Sequence, residues 1–219
     1  MEYKDIEISW LHHDCFRIKG GHLVVYTDPY KVSKEYNDAD LVLITHDHYD
    51  HLEQASIKKL VKQDTMLIAP KDCEAQLSEF NNEKVFVSPG DFKEVKGVSI
   101  RTLPSYNINK FKEGSEVFHP KGKGNVGYVF IVDGVKIYIA GDTDRIPEMK
   151  NIKTDIALLP VSGIYVMTAE EAAQAAEDMK TDIVIPMHYG SGIGTLEDAK
   201  KFKDLLEGKI KVEILPSIE

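Results

Sequence analysis

Cysteine is scarce in this sequence of 219 residues, which contains only Cys15 and Cys73. The two are far apart and neither belongs to a CxxC pair, so they cannot form the disulfide framework of a small secreted domain. We expect both thiols to be reduced and buried. A chain of this size with 42% hydrophobic residues can bury a sizeable core without such cross-links.

Positive charge is also in short supply. The chain has 27 lysines and arginines against 36 aspartates and glutamates, a net charge of -9 and a pI of about 5.4. This balance argues against a broad phosphate-binding surface. The compact basic segment Lys121-Gly122-Lys123 is more simply interpreted as a solvated loop. We therefore expect a small-molecule substrate, while a nucleic acid held by a local patch and metal ions stays open.

Long apolar runs and several common catalytic motifs are absent from the sequence. No apolar run reaches membrane-spanning length, and the charged segment Met1–Asp5 does not resemble a signal peptide. The sequence contains no GxSxG, Walker or strand-linked GxGxxG motif. These absences predict a cytoplasmic protein without a membrane span. Homo-oligomerisation stays open.

Strand-like and helix-like segments follow one another in a repeated order. Gly20-Gly21 and Asp133-Gly134 indicate hairpin turns, and Thr168 and Thr195 begin capping boxes of helices. Each half of the chain starts with hairpins and continues with alternating strands and helices, and no linker separates the halves. The pattern predicts an α+β fold in a single domain over residues 1–219, namely an αββα sandwich of two mixed sheets with flanking helices.

A cluster of histidines and aspartates forms the strongest motif. Residues 45–51 read Thr-His-Asp-His-Tyr-Asp-His and contain three of the eight histidines. The apolar run Leu41–Ile44 precedes them, so a buried strand is expected to carry these side chains onto a loop. Imidazole and carboxylate groups suit zinc, iron or manganese. The motif therefore predicts a metal site.

Other polar clusters follow further predicted strands, at Tyr106-Asn107, Gly141-Asp142-Thr143 and Met187-His188-Tyr189. Because strand ends share one edge of a sandwich, these residues can converge on the histidine motif, and rigid strands can hold them as ligands. Residues 104–125 form the longest irregular stretch and include His119. A loop of this length within a compact domain is usually functional.

Together these segments resemble the metallo-β-lactamase superfamily. Residues 45–51 are similar to its His-x-His-x-Asp-His motif, Ala140–Thr143 to its Gly-Asp-Thr motif, and Met187–Gly190 to the segment with its last ligand histidine. Residues Trp10–Phe16 resemble the Trp-Leu-Gly-His-x-x-Phe opening of one branch. That branch contains ascorbate-6-phosphate lactonase-like proteins and the phospholipase D that acts on N-acyl phosphatidylethanolamine. The resemblance covers about residues 6–215.

The resemblance implies a metal-dependent hydrolase in which a metal-bound hydroxide attacks an ester-type bond, either a lactone or a phosphodiester. It implies one or two divalent cations, with zinc expected and manganese or iron as alternatives. The implied ligands are His46 and His48 at a first metal, Asp50, His51 and His188 at a second, and Asp142 between the two. Asp50 is the implied catalytic residue, as a ligand that also holds the proton of the nucleophile.

One position departs from the superfamily pattern. Asn107 stands where the third histidine of the first metal is expected, which leaves three outcomes open. The first metal is weak or absent, His119 substitutes, or Asn107 binds manganese or iron through its carbonyl oxygen. His13, in the opening motif, either lies near the metals or is structural. The alternative function is a metal-binding protein with little or no catalysis, such as a sensor or scaffold.

Overall fold

A computed structural model of the chain contains two mixed β-sheets of seven strands each, with helices outside. The predicted αββα sandwich is therefore confirmed. The structure describes residues 1–219, apart from the side chain of Asn151. No helix among the described residues is long and apolar enough to cross a membrane.

The first sheet uses the N-terminal strands in sequence order: β1 (Glu2–Tyr3), β2 (Ile6–His12), β3 (Cys15–Gly20), β4 (Leu23–Thr27), β5 (Ala39–Leu43), β6 (Val61–Pro70) and β7 (Glu83–Val87). Neighbours from β1 to β4 are antiparallel, and those from β4 to β7 are parallel. The sheet therefore changes from hairpins to parallel strands at the pair β4–β5.

The second sheet repeats this plan with the C-terminal strands: β8 (Phe92–Val95), β9 (Val98–Pro104), β10 (Val126–Val132), β11 (Val135–Ile139), β12 (Lys153–Pro160), β13 (Lys180–Met187) and β14 (Lys211–Val212). Strands β8 to β11 are antiparallel, and β11 to β14 are parallel. The two halves of the chain thus share one topology.

The helices are α1 (Gln54–Leu60), α2 (Glu74–Leu77), α3 (Ala169–Asp178) and α4 (Leu196–Leu205), and short 3-10 turns span Lys71–Cys73, Lys121–Lys123 and Pro147–Asn151. Both predicted capping boxes are present, at Thr168 and at Thr195. The buried face of α3 consists of alanines, whose small side chains allow the helix to approach the second sheet closely.

Strand β5 is buried on both faces, as its unbroken apolar run predicts. Leu41 and Leu43 belong to the core between the two sheets, whereas Val42 and the following Ile44 pack in a second core with α1. Beyond the strand, the hydroxyl of Tyr128 in β10 donates to the Ile44 carbonyl at 2.7 Å. The histidine motif therefore starts from a strand end that is tied to the opposite sheet.

Candidate metal centre

The loops at the carboxyl ends of the strands bring two sets of donor side chains together at one edge of the sandwich. The first set is His46, His48, His119 and Asp142, and the second is His13, Asp50, His51 and His188. Within each set, one nitrogen or oxygen from every residue lies within 4.8 Å of the others. All eight residues are buried except His48, which is exposed. The histidine motif is thus divided between the two sets.

Asp142 stands between the two sets, just beyond the end of β11. Its Oδ2 lies 3.3 Å from His119 Nε2 and 3.8 Å from His46 Nε2 in the first set. Its Oδ1 lies 3.2 Å from His51 Nε2 and 3.3 Å from His188 Nε2 in the second. Each carboxylate oxygen therefore faces one set, which is the arrangement that a shared ligand requires.

Several of the donor atoms are buried and unpaired. The Nε2 atoms of His13, His46, His51 and His188, together with Asp142 Oδ1, have no hydrogen-bond partner among the described residues. Some of these atoms are within 3.3 Å of each other, yet they do not have the alignment of a hydrogen bond. Unpaired buried polar atoms are costly and rare. Unpaired nitrogen and oxygen atoms that lie within 4.8 Å of one another fit a divalent cation held by imidazole and carboxylate.

Oxygen atoms on the far side of the rings set the histidine tautomers. Asp28 Oδ2 lies 2.8 Å from His51 Nδ1, and it also accepts the Thr45 hydroxyl at 2.7 Å. Because Thr45 Oγ1 donates to Asp28, it accepts from His46 Nδ1 at 3.0 Å. In the neutral form of both rings the proton thus sits on Nδ1 and Nε2 is the ligand atom, which is how outer carboxylates orient metal-binding histidines. Ser162 Oγ occupies the same place at His188, 3.1 Å from Nδ1.

Asn107 lies behind the first set rather than in it. Its amide oxygen lies 2.8 Å from His119 Nδ1 and accepts the His119 backbone N–H at 2.9 Å. The amide nitrogen donates to Asp144 Oδ1 at 3.1 Å and to the Tyr165 carbonyl at 2.8 Å. The structure therefore places His119, and not Asn107, beside His46 and His48. Asn107 positions the ring of His119 instead.

Burial and charge divide the histidines into two electrostatic types. Burial lowers the pKa of His13 and of His119 to about 4, and it lowers the pKa of His46 well below the usual value. Burial also opposes charge on His51, but the carboxylates of Asp142 and Asp28 raise the pKa of His51 well above its usual value. The neutral rings of His13, His46 and His119 offer a free lone pair to a cation. A bound cation would displace the proton from the ring of His51.

Four non-glycine residues at the site have left-handed backbone conformations: His13 at φ 53°, Asp28 at φ 34°, Tyr165 at φ 67° and His188 at φ 60°. Such conformations cost about 1–3 kcal/mol each and persist where surrounding contacts hold them, often at functional sites. The His13 carbonyl accepts the Trp10 indole N–H at 2.8 Å, which is one such contact.

Several of these residues could not be assigned from local sequence patterns. His13 joins the second set because the turn between β2 and β3 brings it beside His188, with ring centroids 4.2 Å apart. Asp28 follows β4, and in the sequence it could be an ordinary turn residue as well as a carboxylate that supports a ligand histidine. Ser162 carries no motif at all. The only sequence signal of Asp28 and Ser162 is their position close to the end of a strand, whereas His13 also belongs to the opening motif Trp10–Phe16.

Comparison with known proteins identifies the family of this chain. Residues 7–188 match the family model described as β-lactamase superfamily domain. A UPF0173 metal-dependent hydrolase of Thermoplasma volcanium is 34% identical over 231 residues, which cover 98% of this chain and 97% of that protein. The crystal structure of a Parabacteroides distasonis protein superposes with a TM-score of 0.82 at 32% identity, over 97% of this chain and 93% of that one.

Igni18, a metallo hydrolase from Ignicoccus hospitalis, has the same fold, with a TM-score of 0.78 at 24% identity over 98% of this chain and 96% of its own. Because the family model and the full-length relative agree, the chain belongs to the UPF0173 metal-dependent hydrolases of the metallo-β-lactamase superfamily.

Replacing Asn107 with alanine is expected to weaken the first cation site selectively. The variant removes the acceptor of His119 Nδ1–H, and losing such an outer partner typically lowers metal affinity by about 10–100-fold. A calorimetric titration with metal should show one weakened site and one unchanged site. Asn109→Ala is the matched control, since the Asn109 side chain bonds the Glu171 carboxylate at 2.7 Å away from the donors. Equal weakening of both sites in Asn107→Ala would contradict this role.

Gly141 joins the two halves of the site by close packing. It has φ 63°, and a Cβ there would lie 2.9 Å from Thr45 Cβ. We expect Gly141→Ala to add a steric cost of about 1–3 kcal/mol to the strain of the left-handed backbone. Gly134→Ala is the matched control because Gly134 has φ 75° but no atom within 4 Å of the added Cβ. Chemical denaturation of both variants measures the difference, and equal destabilisation would refute the steric contribution.

Proposed function

We propose that this chain binds two divalent cations side by side and hydrolyses an ester-type bond, in a lactone or a phosphodiester of the cytoplasm. The observation that carries the proposal is the position of Asp142, whose two carboxylate oxygens face the two donor sets at 3.2–3.3 Å. A protein that holds one structural cation has no need of a second buried donor set. The imidazole-rich sets favour zinc, with manganese or iron as alternatives.

The two cations would lower the pKa of water toward about 7 and stabilise the negative charge that develops on the attacked group. The protein itself orients the reacting groups. Asp50 lines the cavity above the donors, and its Oδ2 lies 3.4 Å from His13 Nε2. Although burial alone would raise its pKa, the contact with His13 lowers the pKa of Asp50 to about 2. Asp50 is therefore ionised at neutral pH and can hold the proton of a nucleophilic water.

The opening segment Trp10–Phe16 supports a place in the branch of lactonase-like and phospholipase D-like hydrolases. In the structure, its His13 lies 3.4 Å from Asp50. The indole of Trp10 stacks on Tyr189, the residue after His188, with ring centroids 4.9 Å apart. The branch motif thus contributes directly to the second donor set, which is a role that would explain its presence.

The alternative is a metal-binding protein with little catalysis, such as a sensor. Its main support was an incomplete first site at Asn107. The position of His119 beside His46, with ring centroids 5.2 Å apart, supplies a third imidazole there and removes that support. The cavity above the donors also offers space for a substrate, since it has a volume of about 330 Å³.

The proposal is tested by measuring metal content and hydrolysis on the same samples. Protein loaded with zinc or manganese is assayed on a lactone panel and on a generic phosphodiester, and chelation followed by metal return should abolish and restore turnover. His51→Ala should lose both metal and activity, whereas His22→Ala, in the hairpin turn after β3, should retain both. A protein with two filled sites and no turnover on either substrate class would favour the binding function.

A further inference from the structure

The wall of the cavity above the donor sets is apolar and aromatic. Besides the donor residues, the side chains that line it are Tyr49, Phe118, Tyr165 and Ile193. None of the described residues that line it is a lysine or an arginine. Tyr49 is 68% exposed and Tyr165 is 39% exposed, which leaves large apolar faces open to solvent at the mouth. Exposed apolar patches beside a cavity commonly mark a ligand-binding surface.

The aromatic wall is preformed. Phe118 and Tyr165 pack edge to face, with ring centroids 4.5 Å apart. The backbone of Tyr165 is held in its left-handed conformation by the hydrogen bond from Asn107 Nδ2 to the Tyr165 carbonyl. Because Asn107 also positions His119, one side chain sets the distance between the first donor set and the wall. An apolar group that rests on the wall is thereby held at a defined distance from the donors.

Three lysines in the loops around the cavity are already paired with carboxylates. The pairs are Lys110 with Glu171 at 2.7 Å, Lys121 with Glu148 at 2.8 Å, and Lys123 with Asp72 at 3.0 Å. Enzymes that act on phosphate esters commonly add lysine or arginine to the metal ions that hold the phosphate oxygens. The site offers no such group among the described lining residues, and it contains the carboxylates of Asp50 and Asp142.

We infer that the substrate is an uncharged carboxylic ester or lactone with an apolar acyl arm rather than a phosphodiester, an inference that rests on the proposed hydrolytic function. The arm lies against Phe118, Tyr165 and Ile193, and the carbonyl group lies at the donor sets, where bound cations would polarise it. Water cleaves the acyl–oxygen bond, so that an ester releases a carboxylic acid and an alcohol and a lactone opens to one hydroxy acid. A cavity of about 330 Å³ holds roughly ten non-hydrogen atoms of substrate if each occupies about the 30 Å³ of a water molecule.

Three substrates with one leaving group test the inference on metal-loaded protein: p-nitrophenyl acetate, p-nitrophenyl hexanoate and bis(p-nitrophenyl) phosphate. We expect kcat/KM for the hexanoate to exceed that for the acetate by at least about tenfold, because the longer arm reaches the apolar wall. The phosphodiester should be the poorest of the three. Metal-dependent turnover of the phosphodiester that equals or exceeds that of the hexanoate would overturn the inference and leave the proposed function standing.

Variants locate the effect on the wall. Phe118→Ala should reduce the preference for hexanoate over acetate by about tenfold, whereas Phe92→Ala should leave it unchanged. Phe92 is the matched control because it is 66% exposed and lines a different cavity, on the second sheet. Ile193→Lys should lower the turnover of the hexanoate and increase the ratio of phosphodiester turnover to hexanoate turnover. An unchanged preference in both Phe118→Ala and Ile193→Lys would refute the assignment of this wall.

Calorimetry separates failure of the inference from failure of the proposed function. Hexanamide carries the apolar arm without a readily cleaved bond, and dimethyl phosphate carries the phosphodiester charge. Suppose that hexanamide binds more tightly than dimethyl phosphate, but protein with both metal sites filled hydrolyses no ester. This result would overturn the proposed hydrolysis and retain the inferred class of ligand. Tighter binding of dimethyl phosphate would overturn the ligand class.

Discussion

Asp142→Asn is expected to lower the metal content of both sites together. The substitution preserves the shape of the side chain but removes the negative charge that faces His119 on one side and His51 on the other. An amide can offer only one oxygen, so one donor set would meet an N–H group instead. Because this change affects a shared donor, kcat/KM should fall by more than the roughly 10–100-fold typical of an outer partner.

Metal per chain, measured by mass spectrometry after dialysis, and turnover on the best ester substrate report the two effects of this substitution. Asp204→Asn, on an exposed position of α4, is the matched control and should behave like the unaltered protein. Circular dichroism verifies that both variants fold. If Asp142→Asn lost metal from one set alone, the carboxylate would belong to that set and the two sites would be independent.

Removal of the metals is expected to lower the thermal stability of the protein by roughly 10–20 °C. A cation that binds the folded chain at 100 times its Kd stabilises it by about 2.7 kcal/mol, so two such sites contribute about 5 kcal/mol. For a domain of this size, 1 kcal/mol shifts Tm by about 2–4 °C. The physical reason is the group of buried atoms on His13, His46, His51, His188 and Asp142, which have no hydrogen-bond partner among the described residues.

Differential scanning calorimetry with and without chelator measures this loss of stability. A variant with His46→Ala and His51→Ala binds neither metal, so chelator should not change its Tm. Zinc returned to the stripped protein should restore the original transition. If chelation removed the metal from the unaltered protein and left Tm unchanged, the prediction would be wrong. The donor atoms would then form hydrogen bonds with other groups in the metal-free protein.

The overall fold was predictable because it depends on patterns that are local in the chain. Alternation in β2, the unbroken apolar run of β5 and the hairpin signal at Asp133-Gly134 each identify an element within a few residues. The capping boxes at Thr168 and Thr195 identify two helix starts in the same way. The order of hairpins followed by strand–helix units, repeated once, then leaves few arrangements that bury every apolar face.

The candidate site was predictable only in part. The motif at residues 45–51, Asp142 and His188 follow strands directly, so their convergence at one edge follows from topology. The role of His119 does not, because it lies within the irregular stretch of residues 104–125. The path of that loop depends on contacts from elsewhere: the Asp144 carboxylate accepts the backbone N–H of Ile108 at 2.6 Å and of Asn109 at 2.8 Å.

The sequence by itself predicted the sandwich, and the resemblance that its motifs carry implied the division of the histidine motif between two donor sets with Asp142 between them. The tertiary structure alone decided which histidine completes the first donor set, what His13 contacts, and which side chains line the cavity above the donors. The physical reason is the separation along the chain over which each interaction acts. Strand and cap signals act over a few residues, whereas Asn107 selects His119 through a hydrogen bond across 12 positions and reaches Tyr165 across 58.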